Sequence, residues 1–122
     1  MSLRKGKKIS GGKYIMRRKK KKYEVTGQKR TVKLGEEKRK TERIRGGNEK
    51  TVLLKSNVIN VMTDNKKSKK VQIKNVLETP SNRFLARQNI LTKGTIVETE
   101  LGKVKITNRP TQEGSVNGIL IK

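Results

Sequence analysis

Residues Thr95-Ile96-Val97-Glu98-Thr99-Glu100-Leu101-Gly102-Lys103-Val104-Lys105-Ile106-Thr107 carry the clearest structural signal in the chain. Apolar and polar side chains alternate at period two on both sides of Leu101-Gly102. Period two puts alternate side chains on opposite faces of a strand, so the stretch reads as two strands joined by a tight hairpin. Outward from it, Val71-Gln72-Ile73-Lys74 repeats the alternation and runs into Val76-Leu77. Val58-Ile59-Asn60-Val61-Met62 is a β-branched run followed by a turn signal at Thr63-Asp64-Asn65-Lys66, and Thr51-Val52-Leu53-Leu54-Lys55 precedes it. Val116-Asn117-Gly118-Ile119-Leu120-Ile121 closes the series. Short strands with little helical periodicity predict an all-β domain, a small antiparallel barrel or sandwich. The one helical turn expected lies near Arg17–Tyr23, and Phe84 reads as a core plug rather than a stacking platform.

Only part of the chain can build that core. Of 30 Leu, Ile, Val and Phe, 23 follow residue 50, whereas residues 1–23 hold 11 Lys/Arg and no acid. The break falls softly between residues 25 and 45. The 122 residues carry 33 Lys+Arg against 10 Asp+Glu, a formal charge of +23. A charge so far from zero repels itself, and a polyanion relieves it. No run approaches the roughly 20 apolar residues of a membrane span, and the basic start lacks the apolar stretch of a secretory signal. The expectation is a soluble intracellular protein bound to nucleic acid. With one Phe, two Tyr and no Trp, base stacking is not expected to be the main recognition device.

The chain has no Cys and no His, which removes zinc fingers, thiol catalysis and every imidazole base. Gly6-Lys7-Lys8-Ile9-Ser10-Gly11 begins like a phosphate loop, but Gly12 stands where the Lys belongs and Tyr14 where Ser or Thr must hold magnesium. Glu98 and Glu100 share a strand face and read as outward residues rather than a metal or acid pair. No catalytic residue, metal site or cofactor is expected.

The candidate contacts are therefore RNA contacts, chosen by residue type. In the tail they are Arg4, Lys5, Lys7, Lys8, Gly11, Gly12, Lys13, Arg17, Arg18, Lys19, Lys20, Lys21 and Lys22, with Lys29 and Arg30 behind them. Six consecutive like charges, Arg17 to Lys22, favour disorder until neutralised. Lys38, Arg39 and Arg43 follow, then Arg45, Gly46, Gly47 and Asn48, where a glycine turn between Arg forks suits an anion nest. Arg83, Arg87, Asn89 and Lys93 lie in a polar connection able to meet backbone, 2′-hydroxyls or base edges. Arg109 completes the set.

Seven pieces stand in one order across nearly the whole chain: Gly11-Gly12-Lys13 followed by Arg18-Lys19-Lys20-Lys21; Gly35-Glu36-Glu37-Lys38-Arg39; Arg45-Gly46-Gly47-Asn48; Pro80 with Asn82-Arg83; Arg87 with Asn89-Ile90-Leu91-Thr92-Lys93-Gly94; Glu98-Thr99-Glu100-Leu101-Gly102; and Arg109-Pro110-Thr111-Gln112-Glu113-Gly114 with Val116-Asn117. Together they resemble the small-subunit ribosomal protein family numbered eight in the eukaryotic series, shared by archaea and eukaryotes and absent from bacteria. The short length looks like the archaeal branch. The pattern departs at Ser10, where Thr is usual, and at Thr111, where Gly is usual, which bears on the turn geometry there.

The resemblance implies a small β-barrel with a long basic N-terminal extension, bound to ribosomal RNA in the body of the small subunit, with no enzymatic activity. The expected division is 1–30 as an RNA-threading extension, disordered when free, and 31–122 as the barrel. Expected partners are small-subunit rRNA and neighbouring small-subunit ribosomal proteins, in the cytoplasm, in the ribosome. No membrane, small-molecule substrate or homo-oligomer is expected. The alternative is a non-ribosomal RNA chaperone or a DNA-compacting protein, less suited to an acid-free arm on a small domain.

Overall fold

In the computed structural model, residues 6–15, 18–25, 27, 29–63 and 67–121 are described. Val58–Met62 (β4) pairs antiparallel with Ser68–Glu78 (β5), β5 with Ile96–Thr99 (β7), β7 with Gly102–Ile106 (β8), and β8 with Asn117–Leu120 (β9). β9 then returns to β4 and closes a five-stranded barrel. The closing seam is parallel, with Val61 opposite Gly118 and Met62 opposite Ile119. The expected antiparallel barrel holds at four of its five seams, and parity explains the parallel fifth. Strands that alternate direction around a ring of odd number meet once with the same direction.

Period two did its work in these strands. Ile59, Val61, Val71, Ile73, Val97, Val104 and Ile106 point inward and are buried, while Asn60, Gln72, Glu98, Lys103 and Lys105 are exposed. Each buried aliphatic contributes about 1.5–3 kcal/mol. β5 has register shifts between Ile73 and Asn75 and again between Val76 and Glu78. At the first bulge the Asn75 Oδ1 accepts the Val76 N–H at 2.9 Å, satisfying a donor beside the disrupted ladder. The expected hairpin is present one residue earlier than centred: Thr99 pairs with Gly102, and Glu100-Leu101 form the turn.

A second sheet covers the barrel. Its order is Lys38–Arg43 (β2), Glu49–Ser56 (β3), Val32–Leu34 (β1) and Ile90–Leu91 (β6). Val32, Leu53 and Leu91 from this sheet join the barrel residues in one core cluster. Val32 is the first buried residue of the described chain; from Gly6 to Thr31 every described side chain is exposed except the half-buried Glu24.

Two short helices were not foreseen. Arg83–Arg87 (α1) begins at Asn82, whose Oδ1 accepts the Phe84 N–H at 3.0 Å. Pro110–Glu113 (α2) has Pro at its start and a left-handed Gly114 at its end. Thr111 sits inside α2, so the turn there does not need the usual glycine. The expected helical turn of the tail is a 3₁₀ turn at Lys22–Glu24; Arg17 lies outside the described residues. Asp64, Asn65 and Lys66 of the expected turn also lie outside them, and Thr63 closes onto Lys67 through its N–H at 3.0 Å. Phe84 is no core plug. It is 69% exposed, because Leu85 and Ala86 take the inward side of α1.

Candidate nucleic-acid interface

The tail is built from local hydrogen bonds. Lys8 N–H donates to the Gly12 carbonyl at 2.8 Å, and Gly11 N–H to the Lys8 carbonyl at 2.9 Å. These bonds and a bridge between Lys7 and Lys13 make a small reverse turn. Farther along, the Arg18 guanidinium grips the Glu24 carboxylate with two bonds, 2.8 and 2.7 Å, and Lys21 N–H adds a third at 3.0 Å. The Arg18 bonds, then the Lys21 N–H, hold the Glu24 carboxyl down at about 2. Lys19, Lys20, Lys21 and Lys22 are exposed, as are Lys29 and Arg30. Arg30 reaches Glu42 on β2 at 2.5 Å, and with Lys40 at 3.2 Å it holds that carboxyl below its ordinary range. Arg4, Lys5 and Arg17 lie outside the described residues.

β2 and β3 form an antiparallel ribbon with Arg43 opposite Glu49. Its tip, Ile44 to Asn48, is closed by the Ile44 N–H on the Asn48 carbonyl at 2.7 Å. Arg45, Gly46 and Gly47 make a 3₁₀ turn, with Gly46 at φ 78° and Gly47 at φ 79°. Both angles are left-handed, which glycine alone adopts cheaply. The Arg43, Arg45 and Asn48 side chains are exposed around it. Lys50, one position in from the Arg43–Glu49 pair beside the tip, donates to the Gln112 side chain of α2, which packs on β3. Arg109 caps α2 and is exposed; its N–H and the Asn108 amide hold the Glu113 carboxyl below its ordinary range.

α1 packs instead on β5 and β6. Arg83, Arg87 and Lys93 are exposed there. Asn89 is half-buried at φ 51°, and its carbonyl accepts the Leu34 N–H at 2.9 Å. It ends α1 and ties it to β1, a structural duty that its residue type alone concealed. Lys38 and Arg39 are exposed on the edge strand β2, with Arg39 paired to Glu37.

The residue-type selection passed over several exposed cations: Lys69, Lys70 and Lys74 on β5, and Lys103 and Lys105 on β8. Their outward positions follow from the period-two alternation once the inward face is known. Glu98 faces Lys103 in register, and no group of three or more metal-ligating side chains occurs among the described residues. No helix among them is long and apolar enough to cross a membrane.

Fold and surface together define a small basic β-barrel module with a covering sheet. The family model of ribosomal protein S8e matches residues 2–121. The chain is 49% identical over 115 residues to the small ribosomal subunit protein eS8 of Nanoarchaeum equitans, covering 93% of this chain and 91% of that protein. It is 49% identical over 119 residues to that of Ignicoccus hospitalis, covering 95% and 92%. The eS8 protein of Staphylothermus marinus is 47% identical over 118 residues, covering 95% and 92%. The chain belongs to the ribosomal protein S8e family.

Proposed function

We propose that the chain is a structural protein of the small ribosomal subunit, without catalysis, that binds and stabilises small-subunit rRNA in the cytoplasm. One observation carries the mechanism. From Gly6 to Thr31 no described side chain is fully buried, yet this stretch holds most of the tail cations and the exposed apolar residues Ile9, Ile15, Tyr23 and Val25. A segment with that exposure has its partner outside the chain. Residues 1–30 act as an arm whose local Arg18–Glu24 clamp is preformed and whose remainder orders between RNA helices, and residues 31–122 as the barrel that docks it. Phosphate neutralisation offsets the ordering cost of about 1–2 kcal/mol per residue. The ribbon tip, α1 and Arg109 supply further phosphate contacts, and neighbouring small-subunit proteins are the other partners. The chain acts as a single copy.

Sedimentation of cell lysate at high and low magnesium tests this reading. Comigration with small subunits, following them as they separate from large ones, is the expected result. Comigration with chromosomal DNA, or a free RNA-bound fraction, points instead to a DNA-compacting protein or an RNA chaperone.

A further inference from the structure

Phe84 is the sole Phe of the chain and lies 69% exposed on α1. Its position is fixed rather than loose. Asn82 caps the turn through the Phe84 N–H, Ala86 packs against the core, and the Asn89 carbonyl anchors the far end to β1. Arg83 and Arg87 are four residues apart, as are Phe84 and Gln88. On a helical turn this spacing gathers all four side chains on one outer face, and all four are exposed. No carboxylate occurs between Glu78 and Glu98, while Arg83, Arg87 and Lys93 do. The ring therefore stands on a rigid mount, edged by guanidinium groups, in a stretch without acid.

We propose that Phe84 stacks on one unpaired nucleobase of the bound RNA, with Arg83 and Arg87 holding the phosphates on either side of it. This rests on the RNA-binding reading above and adds a recognition element that phosphate neutralisation lacks. A π-face accepts any base and so requires an unpaired one, whereas cations alone accept any phosphate. The cationic edge decides between occupants. An apolar socket on a neighbouring protein would have to desolvate two guanidinium groups beside the ring, while a nucleotide brings a phosphate to each.

The chain has no Trp, so Phe84→Trp gives a single indole reporter. It is titrated with deproteinised small-subunit rRNA, with a single-stranded oligoadenylate, and with inorganic polyphosphate, which has the charge but no base. Indole emission should be quenched by the two RNAs and unchanged by polyphosphate. At fixed salt, Phe84→Ala should weaken rRNA binding about five- to hundred-fold, Phe84→Tyr should restore it, and Phe84→Leu should not. Tight rRNA binding with unquenched indole and full affinity in Phe84→Ala would overturn stacking while leaving the RNA reading intact. Rescue by Leu would mean that apolar contact suffices without a π-face, and would overturn stacking. If wild-type chain fails to bind rRNA at all, the RNA reading itself fails, and stacking with it.

Discussion

A Cβ built on Gly118 would lie 2.5 Å from Cγ1 of Val104 on the neighbouring strand. It would also meet the Lys105 carbonyl at 2.8 Å and Ile59 Cδ1 at 3.0 Å. Val104 is fully buried and Ile59 is 1% exposed, so neither side chain has open space to retreat into. Gly118 is where β9 bridges β8 and β4, and its missing side chain lets the barrel close. Gly118→Ala should therefore cost about 1–3 kcal/mol by overpacking, read as a lower urea midpoint. Gly27→Ala, with no neighbour within 4 Å, should stay within about 0.5 kcal/mol.

Asn108 stitches the loop that delivers β9. Its Nδ2 donates to the Ser115 carbonyl at 2.8 Å, and its Oδ1 accepts the Asn117 N–H at 3.0 Å. Both partners are partly buried, so Asn108→Ala strands a donor and an acceptor at about 1–3 kcal/mol in total. Hydrogen exchange should locate the damage: faster exchange at Asn117 and along the β9–β4 seam, with β5 and β7 opening only as global stability falls. Uniform acceleration would mean that the loop is not a separate unit.

What the sequence disclosed depended on length and contrast. β5, β7 and β8 alternate apolar with polar residues, while β4 and β9 lie in short apolar, β-branched runs, and both signals are legible in the sequence. β2 is Lys38-Arg39-Lys40-Thr41-Glu42-Arg43, with no apolar residue to alternate, so its strand comes only from register with β3. α1 and α2 have five and four residues, too few for a 3.6 period to register. Their terminal signals, Asn82 for one and Pro110 with Gly114 for the other, were all that marked them. Phe84 was misplaced because an isolated aromatic suggests burial unless the inward face is known. At the ribbon tip, residue type marks the two glycines, but their left-handed φ angles come only from the turn geometry.

The Arg18–Glu24 clamp has a pH signature. The folded Glu24 carboxyl titrates at about 2, well below an ordinary carboxylate, chiefly because Arg18 donates to its charged form. A depressed carboxyl contributes its full stabilisation above the unfolded value and loses it as pH falls through the folded one. The clamp should thus be intact at pH 5 and open near pH 2. An NMR titration of the Glu24 side chain checks this, and Arg18→Ala should return its midpoint toward the ordinary range. A wild-type midpoint above about 4 would mean that the clamp does not persist in solution.

RNA affinity should fall steeply with salt. If roughly ten cations meet duplex-like phosphates, log K against log salt has a slope of about −9, smaller for other RNA geometries. Deleting residues 1–23, which hold 11 of the cations, should flatten it markedly. Binding isotherms on small-subunit rRNA at several salt concentrations give both slopes. Equal slopes would place the electrostatic anchor on the barrel.

The ribbon tip separates backbone geometry from charge. Gly47 has φ 79° and no atom within 4 Å of a built Cβ, so Gly47→Val meets no clash but forces Val into the left-handed region. That strain is about 1–2 kcal/mol and local to the tip, whereas Ile106→Ala, at 1% exposure, should cost about 2–5 kcal/mol of barrel stability. If the tip holds a phosphate through its backbone N–H groups, Gly47→Val distorts that cradle and weakens RNA binding at nearly constant stability. Arg45→Lys should weaken it as well, since Lys keeps the charge and loses the planar fork. Its salt slope should stay the same, because the number of cations is unchanged. Paired melting curves and binding isotherms distinguish the cases. A Gly47→Val chain that melts as early as Ile106→Ala, and binds normally while folded, would make the glycines purely structural.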